Sequence, residues 1–156
     1  MTFRNVDVDP DTPVARWPFE AIVAVVERGT IGDWARLTSE IDRDPWGPVA
    51  RQIEDYLRYE RPWGVAPLLE RAIAGARLMG LAGERQQVAQ SVAALVERSG
   101  LGLEEFASRI GTSRSRLSTY RSGSVTPSAS LLLRMEAVVE RLNARDPDPG
   151  TVRHER

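Results

Sequence analysis

The sequence of 156 residues lacks cysteine and lysine and contains a single histidine. Without cysteine the chain has no disulfide, no thiol nucleophile and no thiolate ligand for a metal. The one histidine, His154, lies two residues from the end of a polar segment, where zinc binding or acid–base catalysis is not expected. These absences predict a protein that is not an enzyme and that uses no metal or cofactor.

Long apolar runs are also absent from the sequence. No stretch approaches the roughly 18 residues that a membrane span needs. The first residues lack the basic, apolar and small-residue blocks of a signal peptide. We therefore expect a cytoplasmic protein without a membrane partner.

An excess of charge of one sign is absent from the whole chain but present in its parts. The 21 basic and 22 acidic residues give a net charge of −1. Residues 1–81 carry 10 arginines and 13 acids, or −3, and residues 82–156 carry 11 arginines and 9 acids, or +2. Net charge does not describe distribution, so a chain of this composition can still present one basic face to nucleic acid.

The apolar residues recur with a helical period along most of the chain, and no segment alternates as a strand would. Thr30 and Asp33 have the spacing of a capping box at the start of one predicted helix. The fold class predicted is all-α. Four apolar stripes are predicted before residue 77, with the members Phe19, Ile22, Val23 and Val26; Ile31, Trp34, Leu37 and Ile41; Val49, Ile53, Tyr56 and Leu57; and Val65, Leu68, Leu69, Ala72, Ile73 and Ala76.

Two similar segments each carry a tryptophan after a proline. Residues 44–50 (DPWGPVA) resemble residues 61–67 (RPWGVAP), and each is predicted to be a turn before a helix. Trp46 and Trp63 could present two docking corners to a partner, or they could pack between helices. We favour packing, because aromatic side chains usually anchor cores.

Residues 103–122 have the spacing of a helix-turn-helix motif, two short helices joined by a tight turn. An amphipathic helix is predicted from Leu103 to Ile110, and Ser113 is placed to cap a second helix that ends near Ser122. Gly123 ends that helix, and residues 127–128 begin a last one.

The motif also meets three packing requirements in register. Ala107 is small enough to lie where two helices cross, and Gly111 tolerates the positive φ that the turn needs. Leu117 places an aliphatic side chain toward the core.

The residues of this motif carry positive charge and hydroxyl groups. From Arg109 to Arg134 the sequence contains five arginines and no acidic residue, together with many serines and threonines. Arginines, short hydroxyls and a helix N-terminus are the groups that bind phosphate oxygens and base edges. The combination predicts binding to double-stranded DNA.

Residues 88–142 resemble the Cro/C1-type (XRE-family) DNA-binding domain, a five-helix bundle. The resemblance is carried by GLGLEEFA at 100–107, IGTSRS at 110–115, Leu117, Ser118, Tyr120, Gly123 and Pro127-Ser128. It implies that the helix 113–122 enters the major groove, with Arg114, Ser115 and Thr119 at base edges. The backbone contacts that it implies are Ser113, Arg116, Ser118, Arg121, Ser124 and Thr126.

Two positions depart from the family pattern. Leu103 occupies a position where members usually carry a phosphate-binding glutamine, and Arg121 occupies a position where they usually carry glutamate. That glutamate commonly pairs with an arginine of the first helix. Arg121 could therefore form a charge-reversed pair with Glu97, or it could turn outward to phosphate.

The predicted organisation has four parts. Residues 1–16 are a flexible arm, residues 17–81 a helical dimerisation or partner-binding domain, residues 82–143 the helix-turn-helix domain and residues 144–156 a disordered tail. The boundary near residue 81 is placed where Gly80 and Gly83 interrupt the helical pattern.

The predicted function is sequence-specific transcriptional regulation, as a homodimeric repressor. The alternative is an antitoxin that regulates its own operon and binds a toxin through the N-terminal half. An enzyme is disfavoured, because the acidic residues Asp42, Asp44, Glu54 and Asp55 have no partner residues around them and are interpreted as solvated helix faces.

Overall fold

Helices form all of the regular structure in the computed structural model, which describes residue 9 and residues 11–144. The described residues contain no strand, so the all-α prediction is confirmed. A 3-10 turn (Val14–Arg16) precedes seven α-helices. These are α1 (Phe19–Arg28), α2 (Ile31–Arg43), α3 (Pro48–Tyr59), α4 (Ala66–Ser99), α5 (Leu103–Ile110), α6 (Arg114–Arg121) and α7 (Ala129–Asn143).

The chain divides into two compact units between Ala82 and Gly83. Helix α4 runs through this boundary without a break, so the predicted interruption of the helix at Gly80 and Gly83 is wrong. A glycine inside a helix costs only about 1 kcal/mol relative to alanine, and the surrounding leucine, alanine and arginine residues favour helix. Gly80 also has a packing role, since a Cβ there would lie 2.9 Å from Cζ3 of Trp46.

The first unit packs α1, α2, α3 and the beginning of α4 around one apolar core. Its fully buried large side chains are Ile22, Val25, Leu37, Ile41, Ile53 and Leu69. The capping box that begins α2 is confirmed: Asp33 Oδ2 accepts from the backbone N–H of Thr30 at 2.9 Å, and Thr30 Oγ1 accepts from that of Asp33 at 3.4 Å. The hydrogen bonds from Thr30 hold the pKa of Asp33 below its ordinary value.

The end of the predicted flexible arm is an ordered part of the first unit. Val14 is buried, and Trp17 Nε1 donates to the carbonyl oxygen of Thr12 at 3.0 Å. The guanidinium of Arg36 lies 4.9 Å from the centre of the Trp17 ring and donates to the same carbonyl. The predicted flexible arm therefore does not extend to residue 16. Residues 1–8 and 10 of the arm and residues 145–156 of the predicted tail lie outside the described residues.

Several aromatic and aliphatic side chains are more exposed than the sequence predicted. Trp63 is 99% exposed and Trp46 is 42% exposed, so the favoured interpretation of two packed tryptophans is wrong for Trp63. Trp63 lies in the turn between α3 and α4, beside Gly64 with its φ of +78°, and this turn carries the ring away from the helices. Phe19 and Ile31, the first residues of their helices, are also exposed, as is Leu68 in the first turn of α4.

The second unit packs the last part of α4 with α5, α6 and α7. Its largest fully buried side chains are Val92, Phe106, Ile110, Leu117, Met135 and Val139. Four helical segments make this unit within residues 83–144, one fewer than the five that the family resemblance implied. Residues 129–143, which follow the motif, form one continuous helix, and Ser128 caps it by accepting from the N–H of Leu131 at 3.3 Å.

Candidate nucleic-acid interface

The turn between α5 and α6 has the geometry that the sequence predicted. Gly111 adopts a left-handed conformation with φ +74° and ψ +39°. Its N–H donates to the carbonyl of Ser108 at 3.2 Å, and the N–H of Thr112 donates to the carbonyl of Ala107 at 2.9 Å. These are the two hydrogen bonds of a Schellman motif, which ends α5 and redirects the chain.

Ser113 begins the next helix as a side-chain cap. Its Oγ accepts from the backbone N–H of Arg116 at 3.2 Å, as predicted. Leu117 and Tyr120 are buried, which also confirms their predicted inward positions and fixes which side of α6 faces the core. The inward side orients the rest of the helix, because successive residues are rotated by about 100°.

The exposed face of α6 carries small polar side chains between two cationic flanks. At about 100° per residue, Ser115 and Ser122 lie opposite the buried side chains, with Ser118 and Thr119 on either side of them. Arg114 and Arg121, which are seven residues apart, share one flank of this face, and Arg116 lies on the other. Of the three predicted base-reading residues, Ser115 and Thr119 therefore lie on the outward face and Arg114 at its edge, while Ser118, predicted as a backbone contact, lies on the outward face.

Two of the five arginines in the acid-free window are engaged inside the second unit. Arg109 forms an ion pair with Glu105 at 2.7 Å. Arg134 Nη1 donates to the carbonyl oxygen of Ile110 at 2.8 Å, at the end of α5. A cation at this position also opposes the negative end of the α5 dipole. Arg134 therefore joins α7 to the end of α5, whereas Arg109 pairs at the surface with a residue of its own helix.

The other three arginines, Arg114, Arg116 and Arg121, have exposed side chains. None of their guanidinium groups forms an ion pair or a hydrogen bond with any residue in the described part of the chain. The predicted alternative in which Arg121 pairs with Glu97 is therefore wrong. An exposed guanidinium without a protein partner keeps its full set of donors for an anion.

The hydroxyl groups of α6 and the following loop are partly occupied by local hydrogen bonds. Thr119 Oγ1 donates to the carbonyl of Arg116 at 2.8 Å, so it offers an external group its lone pairs and its methyl group. Ser122 Oγ donates to the carbonyl of Thr119 at 3.1 Å and lies 2.8 Å from Ser124 Oγ. Ser122 was not among the predicted site residues, although its spacing of four from Ser118 places it on the same face.

The predicted site residues beyond α6 lie in the loop before α7. Ser124 and Thr126 are exposed there, and Pro127 is buried beneath them. Gly123 follows α6 with a φ of +75°, a left-handed backbone conformation that favours glycine. The loop thus places two hydroxyl-bearing residues soon after the C-terminal end of α6.

Two of the four acids predicted to have no partner residues, Glu54 and Asp55, form ion pairs with arginines, so that prediction is wrong for them. Glu54 accepts two hydrogen bonds from Arg77, at 2.6 and 2.9 Å, and these bonds hold the pKa of Glu54 below its ordinary value. Asp55 pairs with Arg58 at 3.2 Å. The described residues contain no group of three or more potential metal-ligating side chains, and none of their helices is long and apolar enough to cross a membrane.

Comparison with known proteins finds no matching family model, no matching curated protein and no matching solved structure. The resemblance to the Cro/C1-type domain therefore depends on the motif residues of this chain. The geometry that accompanies them is the glycine turn, the capped α6 helix and its three unpaired arginines.

Proposed function

We propose that the protein is a sequence-specific DNA-binding transcriptional regulator of the Cro/C1 type that acts as a repressor. The observation that carries the proposal is the exposed face of α6, which holds short hydroxyls and is flanked by arginines without a protein partner. DNA offers both kinds of acceptor that these groups need, base edges in the major groove and phosphates beside it.

In this function α6 enters the major groove and its exposed face reads base edges. Arg114 donates two parallel hydrogen bonds to a guanine, the commonest specific contact of arginine. Ser115 and Thr119 contact neighbouring bases. Ser118 lies on the side of this face nearer to Arg114 and contacts the sugar-phosphate backbone at the groove edge.

The phosphate contacts come from the flanks of α6, its N-terminus and the following loop. Arg116 and Arg121 supply the cations, and Ser113 lies at the N-terminus of α6, where the helix dipole favours an anion. Ser124 and Thr126 in the loop supply hydroxyl donors. These contacts position the protein, and they act on any sequence.

A homodimer in the cytoplasm fits this function best. Two copies of α6 read two half-sites about 34–36 Å apart, which is one turn of DNA. Repression then requires only that the bound dimer occupies a promoter.

Sequence selection with the purified protein tests the proposal. A library of random duplexes is expected to yield an inverted repeat with half-sites about one helical turn apart. Arg114→Ala is expected to lose about 1–3 kcal/mol of discrimination at one base pair of each half-site. Arg109→Ala is the matched control, because that arginine pairs with Glu105. Selection without an enriched motif, or unchanged selectivity in Arg114→Ala, would contradict the proposal.

An antitoxin that binds its toxin through the first unit is the second candidate function. It is favoured by Tyr59 and Trp63, which are 88% and 99% exposed around the α3–α4 turn. Tyrosine and tryptophan are enriched among the residues that dominate protein interfaces. If the product of an adjacent reading frame binds the chain, Trp63→Ala is expected to weaken binding at least about tenfold. Equal binding by Trp63→Ala would remove this surface from the interface.

A further inference from the structure

The hydroxyl group of Thr119 has one proton, and that proton is used inside α6. Thr119 Oγ1 donates to the carbonyl oxygen of Arg116 at 2.8 Å. Because a hydroxyl carries a single proton, Thr119 has none left to donate to an acceptor atom on a base edge. It therefore presents to DNA its methyl group and the lone pairs of its oxygen.

Val125 brings a second apolar group to the same end of α6. Its backbone N–H donates to the carbonyl oxygen of Thr119 at 3.3 Å, so the loop after α6 folds back beside that residue. The side chain of Val125 is 46% exposed, and its two neighbours, Ser124 and Thr126, are exposed hydroxyl residues of the proposed interface. Among the described residues of the second unit, the only other large apolar side chain exposed to this extent is Leu133 on α7.

The loop holds Val125 in a defined position. The N–H of Gly123 donates to the carbonyl oxygen of Tyr120 at 3.3 Å, and Ser122 Oγ lies 2.8 Å from Ser124 Oγ. Valine is itself stiff, because branching at Cβ restricts its first side-chain torsion. Few rotamers are therefore lost when Val125 contacts a ligand, and the entropic cost of that contact is small.

The major groove of DNA offers one apolar group that fits this end of α6. The groove presents hydrogen-bond donors, acceptors and the C5-methyl group of thymine. The amino group of adenine or cytosine can donate to the lone pairs of Thr119, but it gives Val125 no apolar surface to cover. A thymine methyl matches both the methyl group of Thr119 and the side chain of Val125.

We infer that Thr119 and Val125 together bind the C5-methyl group of a thymine in each half-site. Val125 is then a residue that determines specificity, in a loop whose other contacts are to the DNA backbone. The inference rests on the proposed function and deepens it, because it names one base that α6 and its loop select.

Replacement of thymine by uracil in the duplex that sequence selection enriches tests the inference. Uracil keeps the O4 acceptor and the base pairing of thymine and lacks only the methyl group. Fluorescence anisotropy measures the dissociation constant as each thymine of one half-site is replaced in turn. At one position the unaltered chain is expected to bind about fourfold more weakly, which is the effect of about 0.8 kcal/mol for one buried CH₂ group.

Two variants and one control assign this loss to the two side chains. In Val125→Ala the same replacement is expected to have little effect, because the apolar contact is already absent. Thr119→Ser keeps the hydroxyl and its bond to Arg116 but removes the methyl group, so its loss on replacement should also be smaller. Leu133→Ala is the matched control: it shortens an exposed apolar side chain of the same unit and is expected to retain the fourfold loss.

Failure of the inference is distinguishable from failure of the proposed function. An enriched motif in which every thymine can be replaced by uracil without loss overturns the inference and leaves the proposed function standing. A fourfold loss that persists in Val125→Ala also overturns it, and so does a Val125→Ala variant that binds both duplexes equally weakly relative to the unaltered chain, which indicates a contact with deoxyribose. Selection that enriches no motif contradicts the proposed function and overturns the inference with it.

Discussion

The salt dependence of DNA binding should report Arg116 and Arg121, the two arginines of α6 that are proposed to contact phosphate. The logarithm of the association constant falls linearly with the logarithm of the salt concentration, and each neutralised phosphate makes that slope more negative by about 0.9. Arg116 and Arg121 provide two such contacts in each copy, so a dimer has four and a slope of about −3.6. Between 50 and 200 mM salt the dimer should lose affinity by about 150-fold.

Removing Arg116 from both copies deletes two of the four contacts. The slope for Arg116→Ala should therefore be about −1.8, half as steep as that of the unaltered chain. The same change in salt concentration should weaken its binding only about 12-fold. Fluorescence anisotropy on a labelled duplex of arbitrary sequence measures both slopes, because phosphate contacts are independent of sequence.

Arg109→Ala serves as the control for net charge. It removes the same charge from each copy, but its guanidinium is paired with Glu105 at 2.7 Å. Its slope should remain near that of the unaltered chain. An unchanged slope in Arg116→Ala, or an equal change in Arg109→Ala, would refute the assignment of phosphate contacts to the flanks of α6.

Three further predictions concern folding. Gly111→Ala should lower the free energy of unfolding by about 1–3 kcal/mol in urea titrations. This variant should be less stable than Gly100→Ala. Both glycines have a left-handed backbone, but only at position 111 would a Cβ contact a neighbour, Nη1 of Arg134 at 3.2 Å. Equal losses of stability in the two variants would contradict this contact. Trp17→Ala should cost about 3–5 kcal/mol in the same titrations, whereas Trp63→Ala should stay within about 0.5 kcal/mol, and similar losses would contradict the difference in burial. Glu54 has a lowered pKa in the folded state, so its contribution is complete above about pH 4.5 and is lost as the pH falls through the folded value. In Glu54→Gln the free energy of unfolding should therefore decrease less as the pH is lowered. A variant whose stability depends on pH as that of the unaltered chain does would contradict this role of Glu54.

Local signals in the sequence were sufficient where the decisive contacts lie within a few residues. The cap of α6 depends on Ser113 and the N–H three residues later, and the turn depends on the backbone freedom of Gly111. Both could be predicted because short-range hydrogen bonding and φ preferences are properties of the residues themselves.

Contacts between distant residues could not be predicted in the same way. The sequence showed five equivalent arginines, and only the packing of α7 beside α5 brings Arg134 to the carbonyl of Ile110, 24 positions earlier. The exposure of Trp63 likewise depends on which surfaces the neighbouring helices cover. Gly80 was predicted to interrupt a helix, but its contact with Trp46 shows that packing can offset an unfavourable local preference.

The contact between Gly111 and Arg134 has a consequence for how this sequence can evolve. A Cβ at position 111 would lie 3.2 Å from Nη1 of Arg134, whose other contact holds the end of α5. A larger residue at 111 therefore requires a shorter or displaced side chain at 134, and changes at the two positions should co-vary among descendants of this chain. Ser115, which is exposed on α6 and constrained by no such contact, is free to diverge as binding preference changes.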